Sequence, residues 1–335
     1  MKASMPSIVG NHSLRSRLCR DILGRTMAHA YVLAGPHGSG KHTIAMQYAA
    51  AIACERKEDG STPLPCGVCP SCRKILDKKS PDVILIQKDG QSVKVEQIRN
   101  LQTDVRKVPN DLDDKFYIIE DADTMTTQAQ NAFLLTLEEP PAFVHFFLLC
   151  ETEEALLETV RSRAPVLRTE PIPHRELREH LLRTTPEASR LSADALDEVL
   201  SIAAGSIGRA LELLDEKERE PFVKQRRTAQ SLVENALSKK MPALIELVNL
   251  LPQKRDELFP ILSAAQTALR DLIALKQSET APLCFYTNRE AATESSYRYS
   301  LAAMLRLCDN LADAEDRLAR SANVKLTLSA MIAKL

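Results

Sequence analysis

The sequence predicts an α/β amino-terminal domain, built on a parallel sheet with helices on both faces, followed by a region made only of helices. Short, continuously apolar segments alternate with segments of helical periodicity up to about residue 165, which is typical of parallel strands buried on both faces. A glycine-rich loop follows the first apolar segment directly. Beyond residue 165 the sequence shows only helical periodicity.

Length and composition indicate a multidomain protein of the cytosol. A chain of 335 residues with 44% hydrophobic and 27% charged residues exceeds the size at which one core is comfortable, so two or three domains are expected. The net charge of -1 argues against a surface coated in basic charge for wrapping nucleic acid, although a local basic patch fits the same balance. Because the first residues lack a signal-peptide pattern and no run of about 18 apolar residues occurs, we expect neither secretion nor membrane spanning.

The predicted elements of the α/β domain follow one another in a regular order. A leading helix is expected over residues 8–22, where Leu14, Leu18 and Ile22 share one face. Apolar segments predict the strands, and a period of about 3.6 residues predicts the helices between them. The strands are expected at residues 30–34, 82–86, 116–119 and 145–149, and the helices at residues 43–54, 95–105 and 126–138.

The helical second half contains a charged break at residues 215–221, which separates a small helical domain from a larger one. The sequence therefore predicts three domains. Their bounds are residues 1–166, 167–216 and 217–335.

Residues 35–41 form a candidate phosphate loop, with the pattern G-x-x-x-x-G-K between a predicted strand and a predicted helix. Glycines let backbone N–H groups curl round phosphates, the helix N-terminus adds partial positive charge, and the lysine bridges the terminal phosphates. An ordinary glycine-rich turn is the alternative. The candidate nucleotide-binding residues of the loop are Gly35, Gly38, Gly40 and Lys41.

Two departures from the usual pattern weaken this site for ATP hydrolysis. The residue after Lys41 is normally Ser or Thr, whose hydroxyl binds magnesium, whereas this chain has His42 there and Thr43 one residue later. Imidazole suits magnesium poorly, because this cation prefers oxygen ligands. The acidic pair after the third predicted strand is Glu120-Asp121, the reverse of the usual Asp-Glu order. We expect that any bound nucleotide is not cleaved efficiently. The alternative interpretation of Glu120-Asp121 is that the two residues are exposed charges at the start of a loop.

Four of the eight cysteines lie close together, in the pattern C-x11-C-x2-C-x2-C. In a reducing cytosol, clustered cysteines more often hold a metal than form disulfides. Two short spacings and the turn at Gly67 suit a tetrahedral zinc site that is closed by four thiolates and therefore structural. Reduced thiols that are merely close in sequence are the alternative. The candidate ligands are Cys54, Cys66, Cys69 and Cys72.

Several further segments are similar to those of the bacterial clamp-loader subunits of the AAA+ class. They are VKVEQIR at residues 93–99, KFYIIE at 115–120, NAFLLTLEEPP at 131–141 and RSR at 161–163, together with the four-cysteine insertion. The resemblance covers about the first 210 residues and is thinner beyond, where it rests on NVKL at 323–326. It implies an AAA+ domain over residues 1–166 with a zinc-binding insertion at 54–72, a helical lid over 167–216 and a helical collar domain for oligomerisation over 217–335.

The family contains gamma/tau motor subunits, which hydrolyse ATP, and a catalytically degraded delta-prime kind. The weakened magnesium ligands and the length of the chain favour the delta-prime kind. So does GSIGR at residues 205–209, where Gly208 occupies the position of an arginine in motor subunits. Arg209 is displaced by one residue, which weakens the contact that the family's arginine makes with nucleotide.

The resemblance also implies that Arg163 is an arginine finger. Ser162-Arg163 matches the family's pattern, with Ala164 where the family usually has cysteine. In the family this arginine reaches the ATP of an adjacent motor subunit and stabilises charge on the transferring phosphoryl group, an effect of about 10³ to 10⁵ in rate for arginine fingers in general. Without the resemblance, a solvated charge at a helix end is the alternative.

The implied function is to support ATP-dependent loading of a sliding clamp onto primed DNA. The implied partners are gamma/tau and delta subunits and, through the complex, the clamp and the DNA. Zinc is the implied structural cofactor. Because the magnesium ligands are degraded, the resemblance does not decide whether ATP and magnesium bind in the chain's own site. Two other classes stay open: a self-sufficient ATPase, either a motor subunit or another DNA-associated AAA+ protein, and a small-molecule kinase with a zinc-stapled lid.

Overall fold

The computed structural model describes residues 4–58 and 62–334, and the chain divides into two compact units. Unit 1 comprises Met1–His180 and Gly205–Arg209, and unit 2 comprises Leu181–Ala204 and Ala210–Leu335. Residues 59–61, which belong to the predicted insertion, lie outside the described residues. The three-domain division made from the sequence stays a prediction.

Unit 1 is built on a parallel sheet that has five strands within the described residues. The strands are β1 Ala30–Ala34, β2 Val83–Ile86, β3 Lys115–Ile119, β4 Val144–Cys150 and β5 Val166–Arg168. Their order across the sheet is β2-β3-β4-β1-β5, and every pair is parallel. The helices are α1 His12–Leu23, α2 Lys41–Ile52, α3 Pro70–Leu76, α4 Val95–Asp104, α5 Thr127–Glu138, α6 Glu158–Arg161 and α7 His174–Thr184. The predicted parallel α/β fold is confirmed.

Strand β1 shows why the central strands are apolar on both faces. Its side chains alternate between two cores, because successive residues of a strand point to opposite faces of the sheet. Tyr31 and Leu33 pack with residues of α1 and α2, whereas Val32 packs with residues of α4 and α5 on the other face. Helices therefore cover both faces of the sheet.

Two strands differ from the prediction. Strand β2 lies at the edge of the sheet, and Leu85 is 43% exposed there, so this strand is not buried on both faces. Strand β5 is a correction to the prediction, since the sequence predicts only helices beyond Pro165. It is three residues long, too short to show a periodicity, and it forms by pairing with β1.

Within the described residues of unit 2, all regular secondary structure is helical. Beyond the end of α7 its helices are α8 Pro186–Arg190, α9 Ala193–Ala203, α10 Ile207–Glu212, α11 Glu216–Leu237, α12 Met241–Leu250, α13 Arg255–Gln277, α14 Arg289–Arg298, α15 Leu301–Ala319 and α16 Val324–Ala333. Helix α10 begins in unit 1. The expectation of an all-helical second half is confirmed apart from β5.

Helix α13 has the length and mean hydropathy of a membrane span, with a value of 1.3 over its most apolar 18-residue window. Half of that window is buried inside the protein. Its buried residues, such as Leu262, Leu269 and Leu272, belong to one core with residues of α11 and α15. The apolar character of α13 is thus explained by its place in the core of unit 2.

Asp82 fixes the loop between α4 and β3, and this generates a stability prediction. The carboxylate is fully buried and accepts backbone N–H bonds from Asn110, Asp111 and Leu112 at 2.7 to 2.9 Å. Burial acts to raise its pKa, but the three N–H bonds outweigh burial and lower the pKa below its usual value of 3.8. Asp82→Ala removes the charged acceptor of three backbone N–H groups, so we expect the free energy of unfolding in urea at pH 7 to fall by about 3 kcal/mol.

Because the folded pKa is lowered, the carboxylate stabilises the fold fully above pH 3.8 and loses this effect as the pH falls through the folded value. The difference between Asp82→Ala and the unaltered protein should therefore shrink below about pH 4. Asp113→Ala, at an exposed carboxylate of the same loop, is the control and should change stability by less than about 0.5 kcal/mol. Equal stability of the two variants at pH 7 would contradict the assignment.

Candidate functional site

The candidate phosphate loop lies between the carboxyl end of β1 and the start of α2, as the sequence predicts. Gly38 and Gly40 have φ angles of 73° and 86°, in the left-handed region that glycine adopts without strain. Gly40 is the residue that precedes the first turn of α2. The backbone therefore has the strand, loop and helix context of a phosphate site.

Lys41 bends back onto its own loop. Its Nζ donates to the carbonyl oxygen of Gly35 at 2.6 Å and to that of Pro36 at 3.0 Å. Burial lowers its pKa from the usual value of 10.5, while nearby acidic side chains, Glu151 foremost, act in the opposite direction. The amine is thus held at the loop by neutral acceptors, which a phosphate can replace.

His42 and Glu120 are brought together at the position where a magnesium ion is bound in hydrolysing phosphate-loop proteins. His42 Nδ1 lies 2.7 Å from Glu120 Oε1, although the two residues are 78 positions apart in the sequence. Gln87 Nε2 donates to the other oxygen, Oε2, at 3.0 Å. Both oxygens of the predicted metal-binding carboxylate are therefore engaged by side chains of this chain.

Asp121 and Thr43 lie beside this pair without joining it. Asp121 has a φ angle of 47° and forms an exposed ion pair with Lys88, with Oδ2 and Nζ 3.0 Å apart. Thr43 is exposed on α2 and lines a cavity of about 210 Å³ with Ser39 and Gly40. Asp121 is thus paired with Lys88 and does not take part in the contact of His42 with Glu120.

The segment that carries Arg209 packs against the tip of the phosphate loop. The Gly208 N–H donates to the Gly38 carbonyl oxygen at 2.8 Å, and Ser206 Oγ donates to the His37 carbonyl oxygen at 3.2 Å. The Arg209 N–H in turn donates to Ser206 Oγ at 3.3 Å. This segment is thus bound to the loop through its backbone and Ser206.

Glycine at position 208 has a packing reason that the sequence alone did not reveal. A Cβ atom there would lie 2.7 Å from the Gly38 Cα and 3.0 Å from the Gly38 carbonyl oxygen. Such a contact is too close for any side chain without a shift of the backbone. The loss of an arginine is therefore not the whole explanation for Gly208. Its lack of a side chain also allows the segment that carries Arg209 to contact the phosphate loop.

The four predicted zinc ligands converge on one point. Their sulfur atoms all lie within 4.8 Å of one another, and the Cys66 and Cys72 sulfurs are 3.9 Å apart. Four thiolates at about 2.3 Å from a tetrahedral ion lie about 3.8 Å from one another, whereas a disulfide requires about 2.05 Å. The group can hold a metal ion, and its all-sulfur donor set suits zinc.

Each cysteine of this group has a defined local support. Cys54 follows α2, and Cys69 caps the start of α3 by accepting the Cys72 N–H at 3.4 Å.

Burial raises the pKa of the Cys54 and Cys72 thiols. Partial burial acts to raise the pKa of Cys66 too, but the backbone N–H groups of Val68 and Cys69 outweigh it and lower that pKa to about 7.

Arg163 lies just after α6, and its guanidinium makes three hydrogen bonds to its own chain. Nη1 donates to the Thr159 carbonyl oxygen at 2.9 Å and to Ser162 Oγ at 3.4 Å, and Nη2 donates to Glu138 Oε1 at 2.6 Å. The side chain is 35% exposed. The guanidinium thus lies at the surface of unit 1, where it is accessible to another molecule.

Three residues that contact the predicted site residues were not expected from the sequence. They are Gln87, Lys88 and Glu138. Periodicity and spacing do not reveal them, because each contacts a residue that is far from it in the chain.

Comparisons with known proteins agree with the motifs. The sequence profile of a family described as "DNA polymerase III, delta subunit" matches residues 10–173. A Bacillus subtilis protein named DNA polymerase III subunit delta' is 34% identical over 175 residues, which covers 52% of this chain and 52% of that protein. A Pseudomonas aeruginosa protein of the same name is 30% identical over 232 residues, covering 65% of this chain and 69% of that protein.

A tau subunit of DNA polymerase III from Salmonella typhimurium is also similar, with 34% identity over 211 residues. That match covers 62% of this chain and 32% of the relative. The chain thus spans about half the length of the Bacillus relative and about a third of the Salmonella one.

Proposed function

Because the chain belongs to the family of DNA polymerase III delta-prime subunits, we propose that it is a clamp-loader subunit that supplies Arg163 to a neighbour's ATP site. The observation that carries the proposal is the 2.7 Å contact between His42 and Glu120. It engages the carboxylate that a hydrolysing subunit uses for magnesium, at a position where the hydroxyl ligand is also missing. The chain's own site is thus poorly equipped for hydrolysis, whereas Arg163 is intact.

Arg163 suits a role in another subunit's site. A guanidinium is charged at all relevant pH values and presents N–H groups in a planar fork that matches phosphate oxygens. Its exposure on unit 1 and its place after α6 leave it accessible to a neighbouring subunit. In this role it stabilises charge on the phosphoryl group that the neighbour's site transfers.

The partners follow from the family. We propose that the chain assembles with gamma/tau and delta subunits in the cytosol and that the complex loads a sliding clamp onto primed DNA. The helical regions over residues 167–216 and 217–335 are assigned as the lid and the oligomerising collar domain. The collar assignment is supported by the helical core that residues 229–332 form.

The four-cysteine group is proposed to hold structural zinc. All four ligand positions of the ion are filled by protein, so the site has no open position for a substrate. The ion would tie the insertion to the end of α2 and to α3, since Cys54 follows the first helix and Cys72 lies in the second. Binding of a nucleotide in the chain's own site is a separate proposal. Its phosphates would contact Gly35, Gly38, Gly40 and Lys41.

A hydrolysing subunit of the gamma/tau kind is the second candidate. It is favoured by the complete G-x-x-x-x-G-K loop and by the 34% identity to a tau subunit. In that case the contact between His42 and Glu120 would have to open for magnesium to bind. The two candidates differ in whether the isolated chain turns over ATP.

Removal of one zinc ligand tests the metal site. Cys72→Ser should lose the bound zinc, lowering it from about one equivalent to none by elemental mass spectrometry. The unfolding midpoint of unit 1 should fall by about 5 °C or more, because the insertion loses its cross-link. Cys284→Ser, at an exposed cysteine of unit 2, is the matched control and should keep its zinc. Zinc-free protein from a zinc-containing medium would rule the site out.

Replacement of Arg163 tests the arginine finger. In a complex reconstituted with the motor subunits, Arg163→Ala should slow hydrolysis at the adjacent site by about 10³-fold or more, measured in single turnover. Arg163→Lys should not restore the rate, since lysine lacks the planar fork. Arg175→Ala, at an arginine whose side chain is 90% exposed, serves as the control. An unchanged rate in Arg163→Ala would overturn the proposed function.

The isolated chain separates the two candidate functions. We expect steady-state ATP hydrolysis no higher in the unaltered chain than in Lys41→Ala, because the magnesium ligands are degraded. A coupled phosphate-release assay at millimolar magnesium measures both proteins. Clear turnover that disappears in Lys41→Ala would select the hydrolysing candidate.

A further inference from the structure

We infer that Glu138 is a positioning residue for Arg163, and that its carboxylate holds the guanidinium on this chain until a neighbour's triphosphate replaces it. The inference rests on the proposed function. It adds to that function a residue that holds the arginine when no neighbour is bound. Glu138 is not assigned a contact with the nucleotide itself.

The geometry of the pair suits an exchangeable contact. Glu138 Oε1 and Arg163 Nη2 are 2.6 Å apart, with side-chain exposures of 47% and 35%. The other two contacts of Arg163, to the Thr159 carbonyl oxygen and to Ser162 Oγ, are with neutral groups. Leu135, one turn before Glu138 on α5, is 67% exposed. The pair therefore lies on an uncovered surface of unit 1, with the carboxylate as the charged part of the attachment.

The place of Glu138 in its helix is unfavourable without a cationic partner. It is the last residue of α5, and Glu139 follows it. The carboxyl end of a helix carries partial negative charge from its free carbonyl groups, which disfavours a carboxylate. Two acidic residues at this end thus oppose the local helix preference, and Arg163 offsets the cost for Glu138.

The strength of the pair permits exchange. An ion pair this exposed biases the position of the arginine by about fivefold at most, equivalent to about 1 kcal/mol. A nucleoside triphosphate carries several negative charges, and its phosphate oxygens accept two parallel hydrogen bonds from a guanidinium. The triphosphate therefore outcompetes the carboxylate when the neighbour docks, while the carboxylate restricts Arg163 before docking.

The test uses Glu138→Gln in the full chain, reconstituted with motor subunits. The amide keeps the shape of the side chain and removes its charge, so the triphosphate meets less competition. The KM for ATP at the adjacent site should fall about two- to fivefold at low salt, with kcat unchanged. The effect should shrink at high salt, because an exposed pair is screened. Glu139→Gln, at the adjacent carboxylate, is the matched control and should behave like the unaltered chain.

A second measurement separates this inference from the proposed function. In the isolated chain, modification of Arg163 by phenylglyoxal, followed by peptide mass spectrometry, should be about two- to fivefold faster in Glu138→Gln than in Glu139→Gln. That rate reports on the pairing of Glu138 with Arg163 alone. Unchanged hydrolysis in Arg163→Ala would reject the proposed function and the exchange for triphosphate, but it would leave the measured pairing intact. A fall of kcat in Glu138→Gln, or equal modification rates in the two variants, would overturn the role of Glu138.

Discussion

The burial of the parallel sheet on both faces is the constraint on which the sites of unit 1 depend. Strands β1, β3 and β4 carry apolar residues toward two cores, and helices cover each face. Because the strands are parallel, their carboxyl ends lie at one edge of the sheet. The phosphate loop follows β1 and Glu120 follows β3 at this edge. The apolar pattern of the strands thus brings together polar residues that are far apart in sequence.

The charged side chains at the carboxyl ends of the strands are hydrogen-bonded to other groups of the same chain. Lys41 is held by carbonyl oxygens, Glu120 by His42 and Gln87, and the loop tip by the segment around Gly208. Under the proposed function, the site keeps the shape of a nucleotide site while the groups expected to bind magnesium are engaged in internal contacts. Arg163 differs, because its ion pair with Glu138 is exposed at the surface. On this proposal, the fold contributes to a neighbour's site while its own site hydrolyses ATP poorly.

The four-cysteine group lies where a polar insertion meets the apolar core of unit 1. Residues 55–65 are rich in charged and turn-forming residues and offer little apolar surface for packing. Cys54, Cys69 and Cys72 belong to the core beside α1 and α2, whereas Cys66 is only partly buried. The four sulfur atoms converge, so both ends of the insertion lie together beside this core.

The sequence by itself determined the α/β class, four of the strands, the phosphate loop, the cysteine group and the family, because each depends on local periodicity or on fixed spacing. It did not reveal the three-residue strand β5, which forms only by pairing with β1. Nor did it reveal the contact of His42 with Glu120, across 78 positions, or of Glu138 with Arg163, across 25. Hydrogen bonds and ion pairs of this kind leave no periodic pattern, since they depend on where the backbone places two distant side chains. Only the tertiary structure decided these contacts, and with them which charged groups are engaged by the chain itself.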